Sequence, residues 1–377
     1  MIESSLCALL RGESPSWPAS EDPGFRARLR DCIAYHGVGP LLTRELLNTG
    51  QHEHHVIGSL CRARELKDDV AMELARKYEL VRVLESLAQS GIAPLLLKGA
   101  AMAYSLYPSP ALRPRADTDL LIRAADRVAT AGVLAELGYE KPNATSGELL
   151  TYQCGYVMRD RFGIEHVLDV HWRVSNTQMF SRSLDYDELT SRAVPVSALG
   201  DHARGLGPAD ALLLACMHRV HHLHSPFHVE GVEPAGGDRL IWLNDIHLLS
   251  NSMSLRELVE FARLADERGM RAVCRDGLLK ARRCFDTRIP EEVLLLLARA
   301  GSTERSEAHL RAGSLRHLLT ELRSLPRWQD RVTLLGEHLF PPTAYMLEKY
   351  APGNRAWLPL LYLRRGIHGA LRRIQSQ

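Results

Sequence analysis

Residues 95–122, LLLKGAAMAYSLYPSPALRPRADTDLLI, carry the clearest structural pattern in the sequence. The stretch opens with three leucines and breaks at Lys98 and Gly99, which is typical of a short buried strand followed by a turn. Residues 99–107 then follow a helical pattern, and a loop rich in proline leads to Asp117-Thr118-Asp119 and a second apolar run. The stretch therefore predicts a strand, a helix and a second strand in succession.

Asp117 and Asp119 lie at the mouth of the second predicted strand, residues 118–122. Strand side chains alternate with a period of two, so both carboxylates are expected on one face. Neighbouring carboxylates repel each other, and a divalent cation would neutralise them. Their hard oxygens favour Mg²⁺, which commonly binds together with nucleotide phosphates. An exposed loop is the alternative, but residues 120–122 are too apolar for one.

A third acid is expected on a neighbouring strand, because three carboxylates can hold the two metal ions of a phosphoryl-transfer site. Residues 152–158 and 164–170 are predicted to form a hairpin. Asp169 lies on its second strand, and His171 shares its face by alternation. Together these segments predict a small mixed sheet with helices on one side.

The segments LLLKG at 95–99, RPRADTDLLI at 113–122 and LDVHW at 168–172 resemble the uncharacterised nucleotidyltransferase family of bacteria. That family belongs to the polymerase β-like nucleotidyltransferase superfamily, and the resemblance runs over roughly residues 80–249. It implies transfer of a nucleoside monophosphate from an NTP to a hydroxyl or phosphate acceptor, with release of pyrophosphate. Asp117, Asp119 and Asp169 would be the catalytic residues and the ligands of Mg²⁺ or Mn²⁺.

The resemblance also assigns residues to the nucleotide. Superfamily members usually carry Gly-Ser or Gly-Gly after the first strand, where this chain has Lys98 and Gly99, as the resembled family does. Gly99 allows close approach of the backbone to a phosphate, and Lys98 would supply a positive charge; a solvated strand end is the alternative for Lys98. Arg113 would bind a phosphate or pair with one of the aspartates. Arg115 is expected to be solvated.

Further candidates lie after the sheet region. Trp242 and Asp245 match a W-x-x-D of the resembled family and would form the cleft or lock helices together. Trp242, Asp245 and His171 are therefore expected to bind the nucleotide together with Lys98, Gly99 and Arg113. His218 and His222 lie four apart on a predicted helix, within a run of histidines that extends to His228. A metal pair, a place near the nucleotide or acceptor, and simple packing all remain open for them, and H-E-x-x-H is absent.

Three regions are expected: an N-terminal helical region at 1–90, the α/β nucleotidyltransferase core at 91–200 and a C-terminal helical domain at 201–377. The fold class is therefore α+β. Asp238 is expected to cap a helix that ends near residue 249. Residues 355–373, rich in Arg and Leu, are expected to form a solvated amphipathic closing helix rather than a surface for an acidic partner.

Composition narrows the partners. The 377 residues carry 47 Lys and Arg against 45 Asp and Glu, a near balance that argues against wholesale binding of nucleic acid. The seven cysteines include no C-x-x-C, so a reducing, cytoplasmic location is expected. Neither a signal peptide nor an apolar stretch long enough to span a membrane is apparent.

Two other functions remain open besides nucleotidyl transfer. A nucleotide sugar also presents a diphosphate to a metal held by D-x-D, so glycosyl transfer on the same fold is one. A non-catalytic nucleotide-binding module is the other, although the presence of all three acids argues against a decayed site. The acceptor, whether a small molecule, a sugar phosphate, a peptide or a protein, cannot be read from the sequence.

Overall fold

A computed structural model describes residues 2–17, 23–53, 58, 65–142, 147, 149–224, 237–298, 304–310, 314–350 and 358–375 of the chain. The first helices are α1 Ile2–Leu10, α2 Pro23–His36, α3 Gly39–Asn48, α4 Glu65–Gln89, α5 Lys98–Ser105 and α6 Arg127–Glu136. Two short helices and the long central one follow: α7 Gln178–Ser181, α8 Tyr186–Ser191 and α9 Pro208–His224. The later helices are α10 Leu240–Ser252, α11 Leu255–Glu267, α12 Arg271–Phe285, α13 Glu291–Ala298, α14 Arg305–Leu310, α15 Ser314–Ser324, α16 Trp328–Leu339, α17 Thr343–Tyr350 and α18 Leu358–Gln375.

Six strands form one mixed sheet. They are β1 Leu95–Leu96, β2 Thr118–Leu121, β3 Gln153–Arg159, β4 Glu165–His171, β5 Val194–Pro195 and β6 Arg204–Gly205. Their order across the sheet is β3-β4-β2-β1-β6-β5. β4 runs parallel to β2, and β1 runs parallel to β6, whereas the other neighbours are antiparallel. The α+β class and the hairpin of β3 and β4 are confirmed.

The sheet is covered on both faces, so the prediction of helices on one side is wrong. Leu95 and Leu121 belong to a hydrophobic cluster with the N-terminal helices α1–α3 and with α9–α13. Leu96 and Leu120 belong to a second cluster with α4 and α6. Successive leucines of β1 and β2 thus point to opposite cores, which is why these runs are apolar on both faces rather than alternating.

The predicted helices within the described part agree closely with the structure, but one capping prediction is wrong. Arg239, not Asp238, is the N-cap residue of α10. The Asp238 carboxylate instead binds the guanidinium of the fully buried Arg219, and its Oδ2 lies 2.7 Å from Lys280 Nζ. Asp238 pairs with Arg219 instead of capping α10, because a buried arginine without a charged partner would be destabilising.

His228, the last histidine of the run noted in the sequence, lies outside the described residues. The boundaries of the three expected regions, near residues 90 and 200, remain predictions. Within the part of the chain that the structure describes, no helix has the length and apolar character needed to cross a membrane.

Candidate active site

Asp119 and Asp169 lie side by side at the centre of the sheet. They are direct partners in the parallel register of β2 and β4, which places both side chains on the same face of neighbouring strands. His171, two residues after Asp169, lies in the same row. One ligand atom from each of the three side chains falls within 4.8 Å of the other two, a group compact enough to hold a metal ion.

One oxygen of Asp119 is occupied by two donors. Lys98 Nζ donates to Asp119 Oδ1 over 2.7 Å, and His171 Nε2 lies 2.8 Å from the same oxygen. Burial favours the neutral carboxyl, but the Lys98 ammonium and the imidazole outweigh it and keep the pKa of Asp119 well below its usual range. Burial and the Lys98 charge lower the pKa of His171, so its neutral ring donates from Nε2. Asp119 is therefore ionised at neutral pH.

Lys98 reaches Asp119 from a constrained turn. Its φ of 47° falls in the left-handed region, which costs a residue with a side chain roughly 1–3 kcal/mol. The N-cap residue Leu97 is still extended, so the chain turns sharply from strand to helix at Lys98. Gly99 packs closely under Arg113: a Cβ built there would lie 2.8 Å from Arg113 Nη1. The turn thus requires a glycine at 99 for reasons of packing.

Asp117 is the third acid of the site, and the charges of Lys98 and Arg113 compensate it only in part. It lies just before β2 and lines the same cleft as Asp119 and Asp169. No other residue in the described part of the chain donates a hydrogen bond to its carboxylate. Burial, followed by the charge of Asp119, raises the pKa of Asp117. A half-buried acid without a partner, next to two others, is an arrangement that a divalent cation would relieve.

Asp169 is positioned by an amide that the sequence did not reveal. Gln153 Nε2 donates to Asp169 Oδ2 over 2.6 Å, and Asn176 Nδ2 donates to Gln153 Oε1 over 2.8 Å. Asn176 Oδ1 in turn accepts the backbone N–H of Tyr152 at 2.7 Å. Burial and the charges of Asp117 and Asp119 raise the pKa of Asp169 to about 7.

Gln153 reaches the site because of the register of β3 against β4. The sequence shows no motif around Gln153 or Asn176. With these bonds made, Asp119 Oδ2 and Asp169 Oδ1 receive no hydrogen bond from any described residue. Two hard oxygens on adjacent strands, beside the unpaired Asp117, therefore fit a divalent cation.

Arg113 pairs with Asp245 rather than with an aspartate of the D-x-D segment, and its binding to a phosphate stays a prediction. Its Nη2 donates to Asp245 Oδ2 over 2.6 Å, and both side chains are buried. Asp245 Oδ1 also accepts the hydroxyl of Tyr107 at 2.7 Å, and Asn244 donates to that hydroxyl. Asp245 thus fastens α10 to the loop before β2, while the Arg113 guanidinium also borders the cleft.

Arg115 is buried, so the expectation that it is solvated is wrong. Only 3% of its side chain is exposed, and its Nη1 and Nη2 donate to the two oxygens of Glu73 at 2.8 and 2.7 Å. Tyr104 donates to the same carboxylate. This bidentate pair ties α4 to the segment immediately before Asp117 and so supports the D-x-D turn.

Aromatic and imidazole rings form the opposite wall of the cleft. His222 stacks on Trp242 with ring centroids 4.9 Å apart, and His218 meets both rings edge-on. The Arg239 guanidinium lies 5.2 Å from the Trp242 ring centre. Burial, together with the charges of His222 and Lys98, lowers the pKa of His218 far below its usual value, so this ring is neutral. Among the described residues, the group compact enough for a metal lies at Asp119, and these histidines do not form one.

The cleft between the two walls has a volume of about 240 Å³. It brings together all three predicted acids with Lys98, Gly99 and Arg113, and it also brings in His171, His218, His222 and Trp242. Asp245 is the one predicted site residue that lies behind the wall rather than in it, where it pairs with Arg113.

Comparison with known proteins gives a result that agrees with this geometry. A family model described as an uncharacterised nucleotidyltransferase matches residues 27–324. No curated protein and no solved structure matches the chain. The family match covers well over half of the 377 residues and includes every acid of the cleft. The protein therefore belongs to this uncharacterised nucleotidyltransferase family.

Proposed function

We propose that the protein transfers a nucleoside monophosphate from a Mg²⁺- or Mn²⁺-bound NTP to a hydroxyl or phosphate acceptor. The observation that carries this proposal is the parallel pairing of Asp119 with Asp169 beside the unpaired Asp117. Three carboxylates would converge on one cleft at considerable electrostatic cost unless cations were to bind there. Membership of the nucleotidyltransferase family supports the reaction class.

The residues of the cleft divide the work of this reaction. Asp117, Asp119 and Asp169 would hold the metal, which would neutralise charge on the phosphates. Lys98 and the backbone N–H groups at the start of α5 would bind the triphosphate, because a helix N-terminus attracts anions. The wall of His218, His222 and Trp242 would contact the nucleoside or the acceptor.

The bond changes follow from this placement. An acceptor oxygen forms a bond to the α-phosphorus while the bond between the α-phosphorus and its bridging oxygen to the β-phosphate breaks. Pyrophosphate leaves with the electron pair, next to the positive charge of Lys98. A hydroxyl acceptor passes its proton to a carboxylate of the cleft. Positioning and electrostatic stabilisation are thus the main contributions of the protein.

Binding can be measured without knowing the acceptor. Isothermal titration with a non-hydrolysable α,β-methylene NTP should show Mg²⁺-dependent binding to the unaltered protein. Asp119→Asn and Asp169→Asn should abolish the Mg²⁺ dependence, because each removes a charged oxygen ligand with little change of shape. Pyrophosphate release from each of the four NTPs, with a mixture of candidate acceptors, would follow on the same proteins.

Asp201→Asn is the matched control, since Asp201 is exposed and lies outside the cleft. It should leave nucleotide binding unchanged. Equal Mg²⁺-dependent binding by all three variants would remove the carboxylates from the site. Binding of a nucleotide sugar in preference to any NTP would instead favour glycosyl transfer.

A further inference from the structure

A second cavity, larger than the catalytic cleft, lies among the N-terminal helices. It has a volume of about 570 Å³, against about 240 Å³ for the cleft, and α1, α2, α3 and the start of α4 surround it. Its walls are largely aliphatic, and their apolar members include Leu6, Leu9, Leu29, Ile33, Leu42 and Leu46. A volume of this size with an apolar lining is typical of a small-molecule site, for which about 300–1,000 Å³ is usual.

The cavity and the cleft share a wall. Pro114, which lies three residues before Asp117, lines both spaces. Gly37 lines the cavity and lies directly against Arg239, which lines the cleft: a Cβ on Gly37 would be 2.7 Å from Arg239 Nη2. The φ of Gly37 is 66°, a backbone conformation that favours glycine there. The cavity and the cleft are therefore neighbours that meet at Pro114.

One polar atom of the cavity wall has its hydrogen-bonding capacity unused. Trp17 lines the cavity, and its indole Nε1 is buried with no hydrogen-bond partner in the described part of the chain. A buried N–H without an acceptor is unfavourable, and a ligand oxygen would satisfy it. The cavity thus matches a molecule with an apolar body that also carries an oxygen acceptor.

We propose that this cavity binds the acceptor substrate, and that the acceptor is an alcohol or phosphate ester with a substantial apolar body. Its body would lie among the N-terminal helices, and its reactive oxygen would enter the cleft past Pro114 to meet the α-phosphorus. This inference rests on the proposed nucleotidyl transfer. It assigns the N-terminal helices a role in selecting the acceptor.

A fluorescence titration with 1-aminoanthracene, a neutral apolar probe, tests the cavity directly. Ala34 lines the cavity from α2 and is otherwise exposed, so Ala34→Phe should fill part of the cavity without disturbing the core. We expect this variant to bind the probe at least tenfold more weakly. Ala27→Phe is the matched control, because Ala27 is an exposed residue of the same helix outside the cavity. It should bind the probe as the unaltered protein does.

Primary alcohols of increasing chain length then test the acceptor role. With Mg²⁺ and an NTP present, pyrophosphate release should rise with chain length in the unaltered protein and in Ala27→Phe, and much less in Ala34→Phe. Equal probe binding by the two variants would overturn the cavity as a site. Pyrophosphate release independent of chain length, with probe binding still lost in Ala34→Phe, would overturn its role in acceptor binding.

Nucleotide titrations separate these failures from a failure of the proposed function. Both alanine variants should bind the Mg²⁺-bound α,β-methylene NTP as the unaltered protein does, since neither position lines the cleft. If no nucleotide binds to any of the three proteins, nucleotidyl transfer is refuted, and the acceptor role is refuted with it even if the probe binds.

Discussion

The ammonium of Lys98 lies where it would compete with a metal for Asp119. Its Nζ is 2.7 Å from Asp119 Oδ1, and the left-handed backbone of the strand–helix turn directs it there. In the cation-free protein Lys98 compensates part of the charge of the three acids. In the proposed complex with metal and triphosphate, the same ammonium would have the phosphates as an alternative partner. The residue can thus affect the ion and the nucleotide in opposite directions.

Lys98→Ala should therefore weaken nucleotide binding and strengthen binding of the ion alone. Loss of a charge-assisted contact to phosphate costs about 1.5–3 kcal/mol, or roughly tenfold to a hundredfold in affinity. Affinity for Mn²⁺ without nucleotide should rise, because a positive charge beside the carboxylates is gone. Isothermal titration with Mn²⁺, and then with the α,β-methylene NTP, measures both effects.

Lys98→Gly serves as the matched variant. It removes the same charge but accepts the φ of 47° without strain, so it should be more stable to urea than Lys98→Ala by about 1 kcal/mol. Its binding constants should nevertheless match those of Lys98→Ala. A fall in affinity for both the ion and the nucleotide in both variants would indicate a disrupted site rather than a lost phosphate contact.

At the level of elements, α10 carries Trp242 of the aromatic wall, and its first turn depends on a neutral histidine from α2. His36 Nδ1 accepts the backbone N–H of Leu240 at 3.2 Å, the first residue of α10. Burial, followed by the charge of Arg239, lowers the pKa of His36 to about 4. A protonated ring could not accept this hydrogen bond. The start of the helix that bears Trp242 is therefore sensitive to acid.

This predicts a loss of stability on acidification. The unfolded chain takes up a proton on His36 near pH 6.5 and the folded chain only near pH 4, so the free energy of unfolding falls as the pH drops between these values. From pH 7 to pH 5 the loss from His36 is about 2 kcal/mol. Urea unfolding at both pH values measures it.

His36→Asn keeps an acceptor but does not titrate, so its stability should depend less on pH. Other buried histidines with lowered pKa values, such as His218 and His247, contribute equally to both proteins and cancel in the comparison. An identical pH dependence in the two proteins would show that His36 titrates normally in the folded state.

The elements that the sequence predicted are those whose patterns are local. The apolar runs of β1 and β2, the hairpin of β3 and β4 and the amphipathic helices each have a period or a turn signal of their own. β5 and β6 have two residues each and no such pattern. They pair only because β1 presents a free edge to β6, which is a consequence of the tertiary structure.

The candidate site shows the same division. D-x-D, K-G and L-D-V-H-W are compact motifs, and residues from all of them line one cleft. Gln153 and Asn176 have no motif, and their place depends on how two distant segments meet. The burial of Arg115 likewise depends on Glu73, 42 residues away on α4. Local sequence patterns do not predict contacts between polar side chains that lie far apart in the sequence.

Across the whole molecule, the C-terminal helices contact the core next to the site. Glu337 on α16 accepts the backbone N–H of Leu150 at 2.7 Å. Glu321 on α15 accepts the backbone N–H of Gln178 at 2.5 Å, and the side chain of Gln178 accepts the hydroxyl of Tyr152. The backbone N–H of Tyr152 is held in turn by Asn176, the partner of Gln153. A continuous set of hydrogen bonds therefore joins α15 to the amide that positions Asp169.

Glu321 is the ionisable member of this set, so the stability of the protein should depend on its charge. Burial raises its pKa to about 7, although the N–H groups of Gln178 and Met179 oppose the shift. The unfolded chain loses this proton near pH 4.5, so the free energy of unfolding falls as the pH rises from 4.5 to 7 and the loss is complete above that. Glu321→Gln keeps an acceptor without the charge and should be more stable than the unaltered protein by about 3 kcal/mol at pH 8, with little difference at pH 4.5. Glu292→Gln, at an exposed position of α13, is the control and should show no such gain in urea unfolding. A Glu321→Gln protein that is less stable at pH 8 would mean that the ionised carboxylate is well solvated in the folded state, and that the contact with Gln178 depends on its charge.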